Sequence, residues 1–287
     1  MKSSCMNRYI CLAAVLMPAS LFLPAVSNAQ GTSQSNPMDN SLTRTDSNRA
    51  SQQMETAYLR QTLGDPREEA AYQAFHKASE QDPDKKIKLG DAFLAKYPKS
   101  RYSAAVYEEL CQTYYDKKDL AAFYTFSDKG LSLYPDDVHL LALSGWVIPR
   151  AFTPDEPGAD QKLDKAESQA RHALDVIGKL EKPATLADDQ FAQYKTGESA
   201  IAHSGLGLIY FRREKYDESA KELQMAIPGE ANPDQTDLFI LGADLQNMSR
   251  FKEAADAFNR CAQISGGMQD RCKQYAGEAM KHADEAK

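Results

Sequence analysis

The sequence predicts an all-α fold built as a helix-hairpin solenoid, and two observations predict it. First, one stretch of the chain recurs 35 residues further on: Leu206 and Gly207 return as Leu241 and Gly242, Tyr210 as Leu245, Tyr216 as Phe251, Glu218 as Glu253, Leu223 as Phe258 and Ala226 as Cys261. A fixed period near ~34 residues marks stacked helix pairs, each unable to bury its apolar face without a neighbour. Second, from Pro66 onward apolar residues keep helical spacing between short Pro, Gly or Asp breaks, and no period-2 run suggests a strand.

In chain order, residues 1–29 read as a secretory signal. Lys2 and Arg8 open it, Ile10 to Val26 is mostly apolar, and Ser27-Asn28-Ala29 puts small residues where a signal peptidase needs them, with the expected cut after Ala29. Pro18 and Pro24 interrupt an apolar run already short for a bilayer, which argues against an anchor helix. Cys11 follows Ile10, where lipidation needs a small residue. The expected location is periplasmic or secreted, with no integral membrane segment after cleavage. Residues 30–53, rich in Ser, Asn, Gln and Thr, form a polar leader expected to be disordered.

The remainder, 54–287, is the expected solenoid. Pro66 starts an Ala-rich helix reaching about Glu80, and Pro83 starts the next, closed by Tyr97-Pro98. Helices over Ser100–Tyr115 and Asp119–Tyr134 follow, the second closed by Tyr134-Pro135, an echo of Tyr97-Pro98 at an offset of 37. A helix from about Asp137 is expected to end at Ile148 before Pro149, and Thr153–Gly158 is an insertion ahead of its partner, Lys162–Ile177. A linker over Gly178–Thr185 leads into a long helix ending near Arg213. The clearest repeats are 200–233 and 235–268, and Gly266-Gly267 turns the chain into a capping helix over 268–286.

Charge and motifs narrow the function. Loss of Lys2 and Arg8 leaves 32 basic against 41 acidic residues, a balance of −9. That disfavours nucleic acid, which demands a basic face. His76, His139, His172, His203 and His282 match no zinc spacing, and Asp82-Pro-Asp84 and Asp136-Asp137 look like helix-start acids, so no metal or cofactor is expected. Gly205-Leu-Gly207 lies inside a helix with no strand before it, which disfavours phosphate binding. There is no nucleophile elbow, and the paired carboxylates lie on solvated faces, so no catalytic residue is assigned. Cys261, near one helix end, and Cys272, one turn into the next, come within disulfide reach if those helices are antiparallel; an unbridged pair stays open on spacing alone. Cys111 falls where a small apolar residue is wanted and reads as a buried free thiol.

This register resembles the tetratricopeptide-repeat family. Gly207, Ser219 and Ala226, then Gly242, Ala254 and Cys261, fall on the small positions where paired helices cross; Leu206, Tyr210, Tyr216 and Leu223, then Leu241, Leu245, Phe251 and Phe258, fall on the bulky ones. Leu110, Cys111, Tyr114, Leu120, Leu131 and Pro135, with Gly145, Leu163, Ala166, Ala173 and Leu174, extend the frame toward the N-terminus. Phe93 to Tyr102 is also similar to the start of periplasmic repeat proteins of outer-membrane assembly.

The resemblance implies a right-handed superhelix whose concave wall, lined by the first helix of each pair, binds a protein or peptide. Carried over position by position, that wall comprises Glu108, Gln112, Tyr115, Trp146, Arg150, Ser204, Leu208, Phe211, Arg212, Phe239, Gln246 and Asn247. Trp146, Phe211 and Phe239 read equally as groove anchors or as core. The Lys, Asn and Arg set with which the family grips a C-terminal carboxylate is not at the corresponding positions. The function expected is a non-catalytic interaction scaffold of the cell envelope. The rivals are a permanent structural subunit of an envelope or outer-membrane assembly machine and a helical-toroid hydrolase.

Overall fold

In the computed structural model, the residues described are 53–54, 65–78, 82–227 and 233–286. The expected signal, nearly all of the polar leader and its junction with the first helix fall outside them. Among the described residues the secondary structure is helical, with no strand, in the order α1 (Pro66–His76), α2 (Pro83–Lys96), α3 (Ser103–Asp116), α4 (Leu120–Leu133), α5 (Val138–Arg150), α6 (Ala159–Lys179), α7 (Asp188–Arg212), α8 (Tyr216–Ala226), α9 (Gln235–Asn247), α10 (Phe251–Gln263) and α11 (Gln269–Glu285). Neighbouring helices pack in sequence order, and α5 also packs directly on α7, as α7 does on α9. This is an all-α, solenoid-like architecture.

Helix starts follow from acids. Asp65, Asp82, Asp119, Asp137 and Asp234 each accept a backbone N–H from the first turn they precede, which satisfies donors that a helix start otherwise leaves bare. The Tyr-Pro echo has a shared geometry: Tyr97 and Tyr134 close α2 and α4 with φ −127° at both, their N–H groups donating to the Phe93 and Gly130 carbonyls.

A further echo lies in the tight turns inside the pairs. Lys118, Glu214 and Ser249 are left-handed, with φ of 62°, 57° and 59°. The next residue in each turn reaches back to the helix before it: Asp119 N to Tyr114 O at 2.9 Å, Lys215 N to Tyr210 O at 2.9 Å and Arg250 N to Leu245 O at 2.8 Å. These bonds cap orphan carbonyls at a helix end. The α5–α6 connection carries the Thr153–Gly158 insertion instead, and its left-handed residue is Gly158 at φ 80°.

The small positions of the register meet bulky partners. A Cβ on Gly207 would stand 2.6 Å from Leu223 of α8, and one on Gly242 would stand 2.6 Å from Phe258 of α10. Leu223 and Phe258 are fully buried, as are Leu206, Ile209, Leu238 and Ile240. Ser219 is buried too, and its hydroxyl donates to the Gly207 carbonyl at 2.8 Å.

One expectation at the centre of the chain needs correction. Pro149 does not end the helix, because α5 runs on to Arg150. A proline in the last turn removes only the hydrogen bond to the carbonyl four residues back, that of Gly145. That carbonyl faces Gly205 of α7, where an added Cβ would lie 2.6 Å from the oxygen. Gly205 thus belongs to a close backbone approach between α5 and α7, which is the packing reason for glycine inside a helix.

At the C-terminus, Cys261 of α10 and Cys272 of α11 are joined by a disulfide, and both are fully buried. Cys111 is a buried free thiol whose pKa is pushed well above its ordinary value, chiefly by burial. Met54 is buried against Val138, Ile177, Leu186 and Tyr194.

Candidate protein-binding surface

The residues carried over to the binding wall lie on α3, α5, α7 and α9, and only some of them present a side chain to solvent. Leu208 is 1 % exposed and belongs to the core with Leu223 and Leu238. Phe239 is buried between Phe258 and Tyr275, its ring 5.4 Å and 5.3 Å from theirs. Tyr115 is buried with its ring edge-on to Trp146 at 5.6 Å, and Trp146 and Ser204 are buried as well. These five positions are buried in packing, which for Trp146 and Phe239 is the core alternative of the two readings. The physical reason is that the first helices of successive pairs pack on one another here, so side chains on that face fill the gap between helices.

Six of the others are more open, and the seventh, Arg150, has only 6 % of its side chain exposed. Phe211 and Arg212 are half-buried at the end of α7, Gln246 is half-buried on α9, and Asn247 beside it is exposed. Phe211 lies edge-on to Tyr216 at 6.2 Å. Asn247 Nδ2 donates to Ala243 O at 2.9 Å, and the buried Gln246 Oε1 has no hydrogen-bond partner among the described residues. On α3, Glu108 and Gln112 are half-buried, and Gln112 donates to both oxygens of Asp116 at 2.8 Å.

Arg150 ties the surface together. Its guanidinium lies 3.8 Å from the centre of the Trp146 ring, a close cation–π stack. From there it donates to Ser204 Oγ on α7 at 2.9 Å and to Asp237 Oδ1 on α9 at 3.0 Å, with Asp234 Oδ2 at 3.3 Å. Ser204 Oγ in turn donates to Asp237 Oδ1 at 2.8 Å. One side chain therefore bridges three helices drawn from three successive pairs. Burial, with Asp234 close by, raises the Asp237 pKa to about 7, against the opposing pull of Arg150 and Ser204.

Asp234 and Asp237 were not singled out by sequence reasoning. An acid at a helix start reads as a cap, and Asp234 does cap α9 by accepting from Thr236 N at 2.7 Å. The only sequence signal for the network was the placement of Arg150 and Ser204 on facing helices. A second buried polar contact was not read from the sequence either: His139 Nδ1 lies 3.0 Å from Glu198 Oε1, joining α5 to α7, with both side chains buried.

Arg212 lies over the ring of Phe152 at 5.7 Å, and Phe152 packs on Ile148, Leu163, Ala166 and Ile209. Burial, and then the charge of Arg150, lowers its pKa from the ordinary arginine value.

Among the described residues no group of His, Cys, Asp and Glu side chains could hold a metal ion, and no helix is long and apolar enough to cross a membrane. No protein-family model matches the chain, and no curated protein matches it.

Proposed function

We propose that this chain is an exported, non-catalytic scaffold of tetratricopeptide type that recognises a protein or peptide partner in the cell envelope along the face built by α5, α7 and α9. The observation that carries the reading is the repeat register: the same glycine-against-bulky contact and the same left-handed turn return in α7–α8 and α9–α10. A repeat that spends its small residues on stacking leaves the ends of its first helices free to vary, and binding residues concentrate there. Phe211, Arg212, Gln246 and Asn247 occupy those ends. Aromatic and arginine side chains supply most of the energy of protein interfaces, and amides add directional contacts.

The test is partner capture from envelope extract by the full chain, compared with a Phe211→Ala/Asn247→Glu double variant. Captured partner should drop at least tenfold at unchanged helicity. Undiminished capture sinks the assignment of this face. Mass spectrometry of protein exported by its native host checks the compartment, with an N-terminus at Gln30 expected.

A further inference from the structure

Two arginines on this face, near enough for one charge to depress the pKa of the other, are treated in opposite ways. Arg150 has four oxygens within reach: the Trp146 carbonyl, Ser204, Asp234 and Asp237. Arg212 makes no hydrogen bond or ion pair with any described residue, and its Nε is buried with no acceptor. A guanidinium cannot shed its proton in a protein, so this charge is held half-buried without compensation. The buried Nε–H is out of a ligand's reach, and the Nη groups, which are not sealed, are the donors open to one.

We propose that Arg212, over Phe152 beside the Arg150 network, is a binding site for a single carboxylate of a protein partner, supplied by an Asp or Glu side chain. The guanidinium fork carries N–H groups spaced to meet both oxygens of a carboxylate in its own plane. The guanidinium carbon lies 5.7 Å from the centre of the Phe152 ring, within cation–π range. Asp234 and Asp237 both lie on Arg150 and neither is paired with Arg212, so the Arg212 charge has no acid of its own; a dianionic phosphate would meet more repulsion from the two aspartates than a carboxylate does. The site differs from the family's carboxylate grip, whose residues are absent here. That the carboxylate belongs to a protein rests on the function proposed above, whereas the chemistry of the site does not.

The experiment is a titration of the full chain, labelled with ¹⁵N-arginine, followed through the Nε–H resonances. The probes are blocked aspartate (N-acetyl-aspartate α-amide), its asparagine analogue and inorganic phosphate. The Arg212 signal is identified by its loss in Arg212→Lys and independently in Arg212→Gln, so the titration itself reads the unaltered protein. The expected result is a saturable downfield shift of the Arg212 signal with blocked aspartate, little change with the asparagine analogue, and an unmoved Arg150 signal. No saturable shift, or a shift shared equally by the exposed Arg67, overturns the site. Tighter saturation by phosphate than by blocked aspartate overturns the carboxylate assignment. Because no partner is involved, a failed titration leaves the capture result standing, and failed capture leaves the titration standing.

Discussion

The hydroxyl of Ser219 lies 2.6 Å from Asp244 Oδ2 and 2.8 Å from the Gly207 carbonyl, deep between α7, α8 and α9. A hydroxyl has one proton to give, and the carbonyl can only accept. Both contacts are satisfied when Asp244 keeps its own proton and donates to Ser219. Burial agrees: it lifts the Asp244 pKa to about 8, with Ser219 pulling the other way, and Oδ1 has no partner among the described residues.

The consequence for stability has a definite sign. The folded-state pKa, about 8, stands above the unfolded carboxyl value of 3.8. The native state therefore holds a proton that the unfolded chain releases. This contribution is fully present below the unfolded value and is lost as pH rises through the folded one. Asp244→Asn keeps the donor and removes the titration. Urea unfolding should show the variant more stable by about 2–4 kcal/mol at pH 7, on the scale of ~1.4 kcal/mol per pKa unit. The gap should narrow toward pH 4. A variant no more stable at pH 7 would place the ionised carboxylate in the native state.

The Cys261–Cys272 bond closes a short loop, with 11 residues of sequence separation. In the chain-entropy account such a link contributes about 2–3 kcal/mol, by limiting the unfolded chain. Replacing both cysteines with Ala should lower stability by about that amount, with amide exchange rising first in α11. An unchanged exchange pattern there would mean that packing by Met268, Ala276 and Ala279, all buried in the same core, holds the helix without the bond.

Most of the architecture was legible in the sequence, because the forces that write a repeat are local and periodic. Gly207 and Gly242 betrayed the helix crossings, and the Asp and Pro positions gave the helix starts. What was not legible depended on the spacing between pairs. Positions such as Leu208 and Phe239 fall on the face expected to bind, yet the distance between α7 and α9 decides whether a side chain there is open to solvent or a filler. Pro149 misled in the same way, since a proline in a last turn is tolerated when its orphaned carbonyl faces Gly205. The Arg150 network joins residues up to 87 apart, and no periodicity announces it.

The left-handed turns offer a stabilising change. Ser249 sits exposed at φ 59°, where a Cβ crowds the backbone and glycine does not. Ser249→Gly should raise stability by about 0.5–1 kcal/mol, the usual scale of a helix C-terminal glycine set against its extra chain entropy. Thermal unfolding measures it, and a lowered midpoint would contradict the capping role drawn from the Arg250 N to Leu245 O bond.

Two glycines inside helices make the sharpest contrast, since the same substitution should act in opposite directions. Gly277 in α11 has nothing within 4 Å of an added Cβ, whereas at Gly205 that atom would stand 2.6 Å from the Gly145 carbonyl oxygen and 3.1 Å from Trp146 N. Gly277→Ala exchanges the poorest ordinary helix former for the best one and should gain about 0.5–1 kcal/mol. Gly205→Ala makes the same local gain but meets backbone, which cannot rotate away as a side-chain tip can. The α5–α7 contact must then open, at a net cost of about 2 kcal/mol or more. Because Trp146 and Arg150 ride on α5 and Ser204 on α7, that opening should also loosen the Arg150 network. Trp146, the single tryptophan of the chain, reports it directly: its emission should shift to longer wavelength in Gly205→Ala and stay in place in Gly277→Ala. Equal stability of the two variants would rule out the close approach of α5 to α7 as a constraint on this fold.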